Sequence, residues 1–101
     1  MSGAAAELGE LAASLDELSG ELYVPSRRYA ADGSLRPCTP TTVPAVGVLV
    51  SWTKFEGQHY GLVDLDASPR VQAFLAEGPH EVGARYHGHQ DSDGTLRFVR
   101  D

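Results

Sequence analysis

Residues 7–22 read ELGELAASLDELSGEL, and the fold class turns on this stretch. Leu8, Leu11, Leu15, Leu18 and Leu22 recur at spacings of three, four, three and four. That spacing gathers the leucines on one face of an α-helix. Glu10, Asp16 and Glu17 fall on the other faces, with Ala12 and Ala13 beside the seam. The pattern predicts a helix from about Ala4 to Ser19, stopped by Gly20, because glycine takes the left-handed backbone that ends helices. Leu8, Leu11, Leu15 and Leu18 then form a candidate partner interface, packed on the chain's own sheet or on a second copy as a homodimer.

The segment is also where the charge lies. The chain has 101 residues, 8 basic and 14 acidic, for a formal net charge of −6. Glu7, Glu10, Asp16, Glu17 and Glu21 fall within the first 21 residues, which hold no base, so the remainder is nearly neutral. The expected division is an acidic amphipathic helix over 1–21 and one compact β-rich domain over 22–101. Net acidity disfavours nucleic acid and anionic lipid as partners, since both call for clustered positive charge. Cys38 is the single cysteine, which rules out an internal disulfide and any Cys-x-x-Cys site. No long apolar stretch or basic leader stands at the N-terminus, so cytoplasm is the expected compartment and no membrane contact is expected.

Downstream, strand signals dominate. Leu22–Val24 starts an extended stretch that Pro25 interrupts, and Asp32-Gly33 marks a tight turn. Val46, Val48, Val50 and Trp52 alternate on one face of a strand ending at Phe55, with Leu49 on the other. Glu56-Gly57 turns it into a second strand from His59 to Leu65. Ser68 as N-cap, Pro69 in the first turn and Gly78-Pro79 as a stop predict a short helix over 68–77, burying Val71, Phe74 and Leu75. Two more strands follow, Glu81–Gln90 and Thr95–Val99, around the turn Asp91–Gly94. The expected class is therefore α+β. It has a small antiparallel sheet or partly open β-barrel, an N-terminal amphipathic helix and one short helix between strands. The last six elements follow the order of an OB-fold, a likeness of architecture that carries no function by itself.

The chemistry-bearing residues cluster late in the chain. Arg85, His87 and His89 share one strand face, and Arg97 on the partner strand joins them. Lys54, Phe55 and His59 sit near the central hairpin turn. These seven residues are the candidate binding surface. His87-x-His89 has the spacing of a strand-borne metal pair, with His59, His80, Cys38, Asp91 or Asp93 as a third ligand. His87, His89 and Asp93 resemble the first metal motif of cupins over these few residues. Aspartate stands where glutamate is usual, and the chain ends before a second-motif histidine. A solvated outer face accounts for the same alternation, so no metal and no cofactor is assigned. Ser26, Ser51 and Ser92 lack a nucleophile-elbow context, and there is no phosphate-binding glycine loop.

These features point to a small non-enzymatic protein-interaction module, an inhibitor or immunity-type binder whose acidic face complements its partner. The alternatives are a single-stranded nucleic-acid-binding OB-like domain and, behind it, a histidine-dependent metal-binding protein.

Overall fold

The computed structural model describes residues 9–101. Leu8 and the start of the expected helix, residues 4–8, lie outside this range. The described chain is all-β, with eight strands: β1 (Glu10–Asp16), β2 (Glu21–Tyr23), β3 (Thr39–Pro44), β4 (Val46–Phe55), β5 (Gln58–Leu65), β6 (Arg70–Leu75), β7 (Arg85–Gln90) and β8 (Leu96–Arg100). They form a three-stranded sheet, β2-β1-β3, and a closed barrel, β4-β5-β6-β8-β7. The α+β expectation is thus overturned. Within the described residues both segments read as helices hold strands, and the extended stretch that starts at Leu22, one of the six elements of the OB-like order, contributes only β2, outside the barrel.

The first correction falls on the opening stretch. Leu11 and Ala13 are buried, Leu15 is half-buried, and Leu18 is 77% exposed. The stretch also contains the alternation 11, 13, 15, and helix propensity, though highest for alanine, is a weak prior that tertiary context overrides. Pairing decides between the two. β1 runs antiparallel to β3 from Glu10↔Pro44 to Leu15↔Thr39, and to β2 from Ser14↔Tyr23 to Asp16↔Glu21. Tertiary pairing of this kind overrides local propensity.

Asp16 gives the strand a second reason to exist. Its carboxylate is buried, where it accepts Arg36 Nη2–H at 2.7 Å, Ser19 Oγ–H at 2.8 Å and Leu18 N–H at 3.2 Å. Arg36 also holds Asp32 at 2.7 Å, so one guanidinium ties the excursion between β2 and β3 back to β1. The Arg36 and Ser19 hydrogen bonds hold the Asp16 carboxyl well below the usual carboxylate range. Ser34, with Arg36, brings Asp32 down to about 2.

The second correction is β6. Val71, Ala73 and Leu75 are buried while Arg70 and Gln72 are exposed and Phe74 is half-buried, a period of two. Ser68, expected as an N-cap, instead sits at φ 106° in the β5–β6 turn, where its N–H donates to Leu65 C=O at 2.9 Å. β6 pairs antiparallel with β5 and parallel with β8, and the parallel contact closes the barrel.

Closure needs small residues at two crossings. A Cβ on Gly47 would stand 2.2 Å from Asp64 O, and one on Gly88 would stand 2.3 Å from Arg97 O. The barrel interior then fills with Leu49, Val63, Leu65, Val71, Ala73, Leu75, Tyr86, Leu96 and Phe98. Leu11, Ala13, Val43 and Ala45 join the same cluster, so sheet and barrel share one core. Ala12 N–H donates to Gln90 Oε1 at 2.9 Å and Gly88 N–H to Ala45 C=O at 2.8 Å across the join. Among the described residues no helix is long and apolar enough to cross a membrane.

The strand assignment separates two leucines that a helical seam treats alike. Leu11→Ala is expected to lower unfolding free energy by about 2–5 kcal/mol, and Leu18→Ala to change it by less than about 0.5 kcal/mol. Chemical denaturation of both variants checks this; equal losses contradict the strand. Acid titration checks the Asp16 network. Carboxyls depressed on folding contribute stability above their ordinary values, near 3.8 here, and that stability is lost as pH falls toward the folded values. Asp16→Asn is therefore expected to flatten the fall in stability on acidification, measured by thermal melts across that range.

Candidate functional site

At one end of the barrel, β4, β5 and the loop between β6 and β7 bring three rings together. A register shift between Leu49 and Ser51 turns the β4 alternation over. Ahead of the shift Gly47 and Leu49 face the interior and Val46, Val48 and Val50 are half-buried on the other face; beyond it Trp52, which simple alternation groups with those valines, is turned to the interior side at the open end of the barrel, where it is 41% exposed. Trp52 stands opposite Gly61, and Lys54 opposite His59. The Trp52 ring lies 4.9 Å from His80, edge-on, and 5.8 Å from His59.

A hydrogen-bonded chain runs inward from these rings. His59 Nδ1 is 2.8 Å from His80 Nε2, and His80 Nδ1 is 2.7 Å from the hydroxyl of the fully buried Tyr86. Each link needs one proton. If Tyr86 donates to His80, then His80 donates to His59; if the order reverses, His59 donates first and Tyr86 accepts. Both orders leave both imidazoles neutral. Burial, then the neighbouring His59 and Arg100, pulls the His80 pKa down, and burial pushes the Tyr86 phenol up.

Beside this cluster, three adjoining hollows cross the outer face of β4, β5, β6 and β8. The first is lined by Ser51, Trp52, Thr53, Tyr60, Leu62 and Gln72; the second keeps Tyr60 and Gln72 and adds Pro25, Phe74, Gly94 and Thr95; the third keeps Phe74 and adds His89, Arg97 and Val99. Their volumes are about 330, 290 and 200 Å³. Ligand pockets for compact molecules run roughly 300–1,000 Å³. These shallower hollows with shared walls form one furrow suited to successive groups of an extended chain. The Tyr60 and Phe74 rings meet at 5.0 Å across the β5–β6 pair, tilted by 43°, and the Arg97 guanidinium lies 5.3 Å over Phe74.

The residues singled out from sequence are divided between these surfaces. Arg85, His87, His89 and Arg97 do lie on the exposed side of β7 and β8, but each has an acidic partner. Arg85 holds Asp66 at 2.6 Å, His87 holds Asp101, and Asp91 takes both His89 at 3.0 Å and Arg97 at 2.5 Å. His89 and Arg97 border the furrow, while Arg85 and His87 are not among its lining residues. Lys54 and Phe55 are exposed near the β4–β5 turn, where Glu56 and Gly57 both have positive φ. His59 belongs to the hydrogen-bonded chain. Leu11 is in the core, Leu15 is half-buried beside it, and Leu18 is exposed on the β1–β2 turn. The third-ligand idea for His87 and His89 finds no support. Among the described residues no group of three or more His, Cys, Asp or Glu side chains could hold a metal ion.

Gln72 and Phe74 are not signalled as site residues by the sequence, because a helical reading of 68–77 buries Phe74 and hides the alternation that turns it outward. His80 was considered only as a metal ligand. Its partner His59 lies 21 residues away, a pairing that no local pattern signals.

Two outcomes follow from the hydrogen-bonded chain. Tyr86→Phe keeps the ring and removes the hydroxyl, leaving His80 Nδ1 without its partner, and should lower stability by about 1–3 kcal/mol in denaturant titrations. A histidine held below its ordinary 6.5 contributes stability that is complete above that pH and is lost as pH falls below it. His80→Gln should therefore flatten the stability profile over that acidic window. A profile identical to that of the unmodified chain contradicts the burial of a neutral imidazole.

No protein-family model matches this chain, and no curated protein matches it, so the furrow and the barrel mouth are themselves the basis for a functional reading.

Proposed function

We propose that this chain is a non-enzymatic binding module that takes an extended segment of a partner protein across the outer barrel furrow, as an inhibitor or immunity-type protein does. The observation that carries this reading is the run of hollows sharing Tyr60, Gln72 and Phe74 as common walls. Aromatic rings supply large, rigid contact area, the usual composition of interface anchors. Gln72 and Thr95 offer hydrogen bonds along the floor. Backbone pairing is a weaker route to a partner here. The barrel is closed, and β3 carries Pro40 and Pro44, which blunt its edge. The charge supports a neutral or basic partner. Five arginines, Arg36, Arg70, Arg85, Arg97 and Arg100, are already matched by aspartate or glutamate within the chain.

One observation favours a second reading, single-stranded nucleic acid on the same face. Tyr60 and Phe74 stand on the second and third strands of a five-stranded barrel, where OB-type barrels stack bases. That reading calls for phosphate to displace Asp91 from Arg97, and it predicts affinity that falls steeply with salt.

The test is a random peptide library selected on the intact protein and counter-selected on Phe74→Ala. Recovered peptides are then titrated through the fluorescence of Trp52, the single tryptophan. The expected result is peptides whose affinity drops by about tenfold or more in Phe74→Ala. No enrichment, or binding unaffected by Phe74→Ala, overturns the protein reading. A salt-sensitive response to oligothymidylate in place of peptides selects the nucleic-acid reading.

A further inference from the structure

The furrow does not stop at its second hollow. A fourth hollow, of about 450 Å³, adjoins it across Pro25 and is walled further by Glu21, Tyr23, Arg27, Pro69 and Arg70, where the N-terminal sheet meets the barrel. Junctions between packed units are common places for ligand sites. We infer that this hollow is a seat for a C-terminal carboxylate. The last residue of a partner's tail sets its carboxylate on the Arg27 guanidinium, and the residues before it run along β6 into the furrow. The run along β6 rests on the furrow reading above, whereas the seat at Arg27 does not.

Arg27 is positioned before any ligand arrives. Its backbone N–H donates to the buried Ser14 Oγ at 2.8 Å, its Nε–H donates to Tyr29 C=O at 2.7 Å, and its guanidinium lies 5.1 Å over the Tyr23 ring. Tyr23 is fixed in turn, its hydroxyl accepting Ala31 N–H at 3.1 Å and donating to Glu21 Oε2 at 3.0 Å. These contacts occupy Nε and one face of the guanidinium and leave its Nη groups. Among the described residues neither Nη group has an acceptor, and Arg27 holds no carboxylate. The N–H groups of a planar guanidinium match the two oxygens of a carboxylate. A side chain already held in place loses little freedom when the ligand binds.

The surroundings suit one negative charge at the end of a chain. Arg70, on the β6 wall, brings a second guanidinium, although Asp64 takes its Nε–H at 2.6 Å and an Nη2–H at 3.2 Å. Glu21 lines the same hollow and repels an anion, which favours a singly charged carboxylate over a doubly charged phosphate. Arg70, Gln72 and Phe74 alternate on the outer face of β6. A segment that passes Phe74 and Gln72 therefore reaches Arg70 within about 13 Å of extended chain. Arg70 opens β6, and behind it the chain turns back to β5 through residues 66–69, so the row of hollows ends there. A chain terminus fits such an end better than a side chain on a segment that continues.

The experiment has two arms. N-acetyl-dialanine offers a chain terminus without a side chain for the aromatic hollows. Titrated into the isotope-labelled protein, it is expected to shift the amide signals of Ser26, Arg27 and Arg70 and the Arg27 Nε–H signal, while its C-terminal amide leaves them in place. No shift with the acid, or equal shifts with both, overturns the seat. Inorganic phosphate that shifts the same signals at lower concentration also overturns it. The second arm uses peptides selected on the intact protein from a library with free C-termini. Each should bind about tenfold or more weakly once amidated, and about as weakly to Arg27→Gln. Arg27 also braces Tyr29, so if Arg27→Gln does not fold, amidation on the unmodified protein still decides the matter. Peptides that lose affinity in Phe74→Ala but not on amidation keep the furrow and overturn the seat. Peptides sensitive to amidation but not to Phe74→Ala keep the seat and count against the furrow.

Discussion

The parallel contact between β6 and β8 is the constraint on which the molecule depends. It is short, Phe74↔Arg97 and Leu75↔Phe98, yet it is what turns five strands into a barrel. Without it β6 is a sheet edge, and Phe98 and Leu75 lose the interior they share. The same contact sets Arg97 over Phe74 on the outer face. It also fixes where the loop after β6 begins, since Ala76 N–H donates to Phe98 C=O at 2.9 Å. That loop carries His80 to the barrel mouth. Closure therefore produces both the furrow and the histidine chain.

The N-terminal sheet is organised by a different force. Its strands bring few large side chains, Leu11 and Val43 being the main ones, and its order comes from Asp16. A buried carboxylate has to be matched or it destabilises the fold. Ser19, Leu18 and Arg36 satisfy it, and in doing so they define the β1–β2 turn and draw in the excursion that ends at Arg36. The sheet then shares a core with the barrel through Leu11, Ala13, Val43 and Ala45. Polar matching shapes one unit and apolar burial shapes the other.

How far the sequence could be read depended on whether its signals were local. The β4–β5 hairpin was legible, because alternating valines and the Glu56-Gly57 turn are contained within the elements they specify. The last two strands were legible for the same reason, around the Asp91–Gly94 turn. β1 and β6 were not. In both, leucine or valine spacings fit a helix as well as a strand, and only partners remote in sequence settle the choice: Thr39–Pro44 for β1, and β5 and β8 for β6. The site shows the same division. The outward set Arg85, His87, His89 and Arg97 follows from alternation, but the carboxylates that neutralise it come from Asp66, Asp91 and Asp101. The meeting of His59, His80 and Tyr86 depends on barrel closure, and Trp52 leaves the face of the β4 valines because of a bulge that alternation does not announce.

The most direct test of this account is the closing contact itself, read by solution NMR. Nuclear Overhauser effects between the backbones of Phe74–Leu75 and Arg97–Phe98, and between the Phe74 ring and the Arg97 side chain, are expected. Residues 10–16 and 70–75 should give sequential and cross-strand contacts, with none of helical spacing. Helical contacts three residues apart within either segment, or the absence of any β6–β8 effect, would contradict the closed all-β fold and the furrow and histidine chain that it builds.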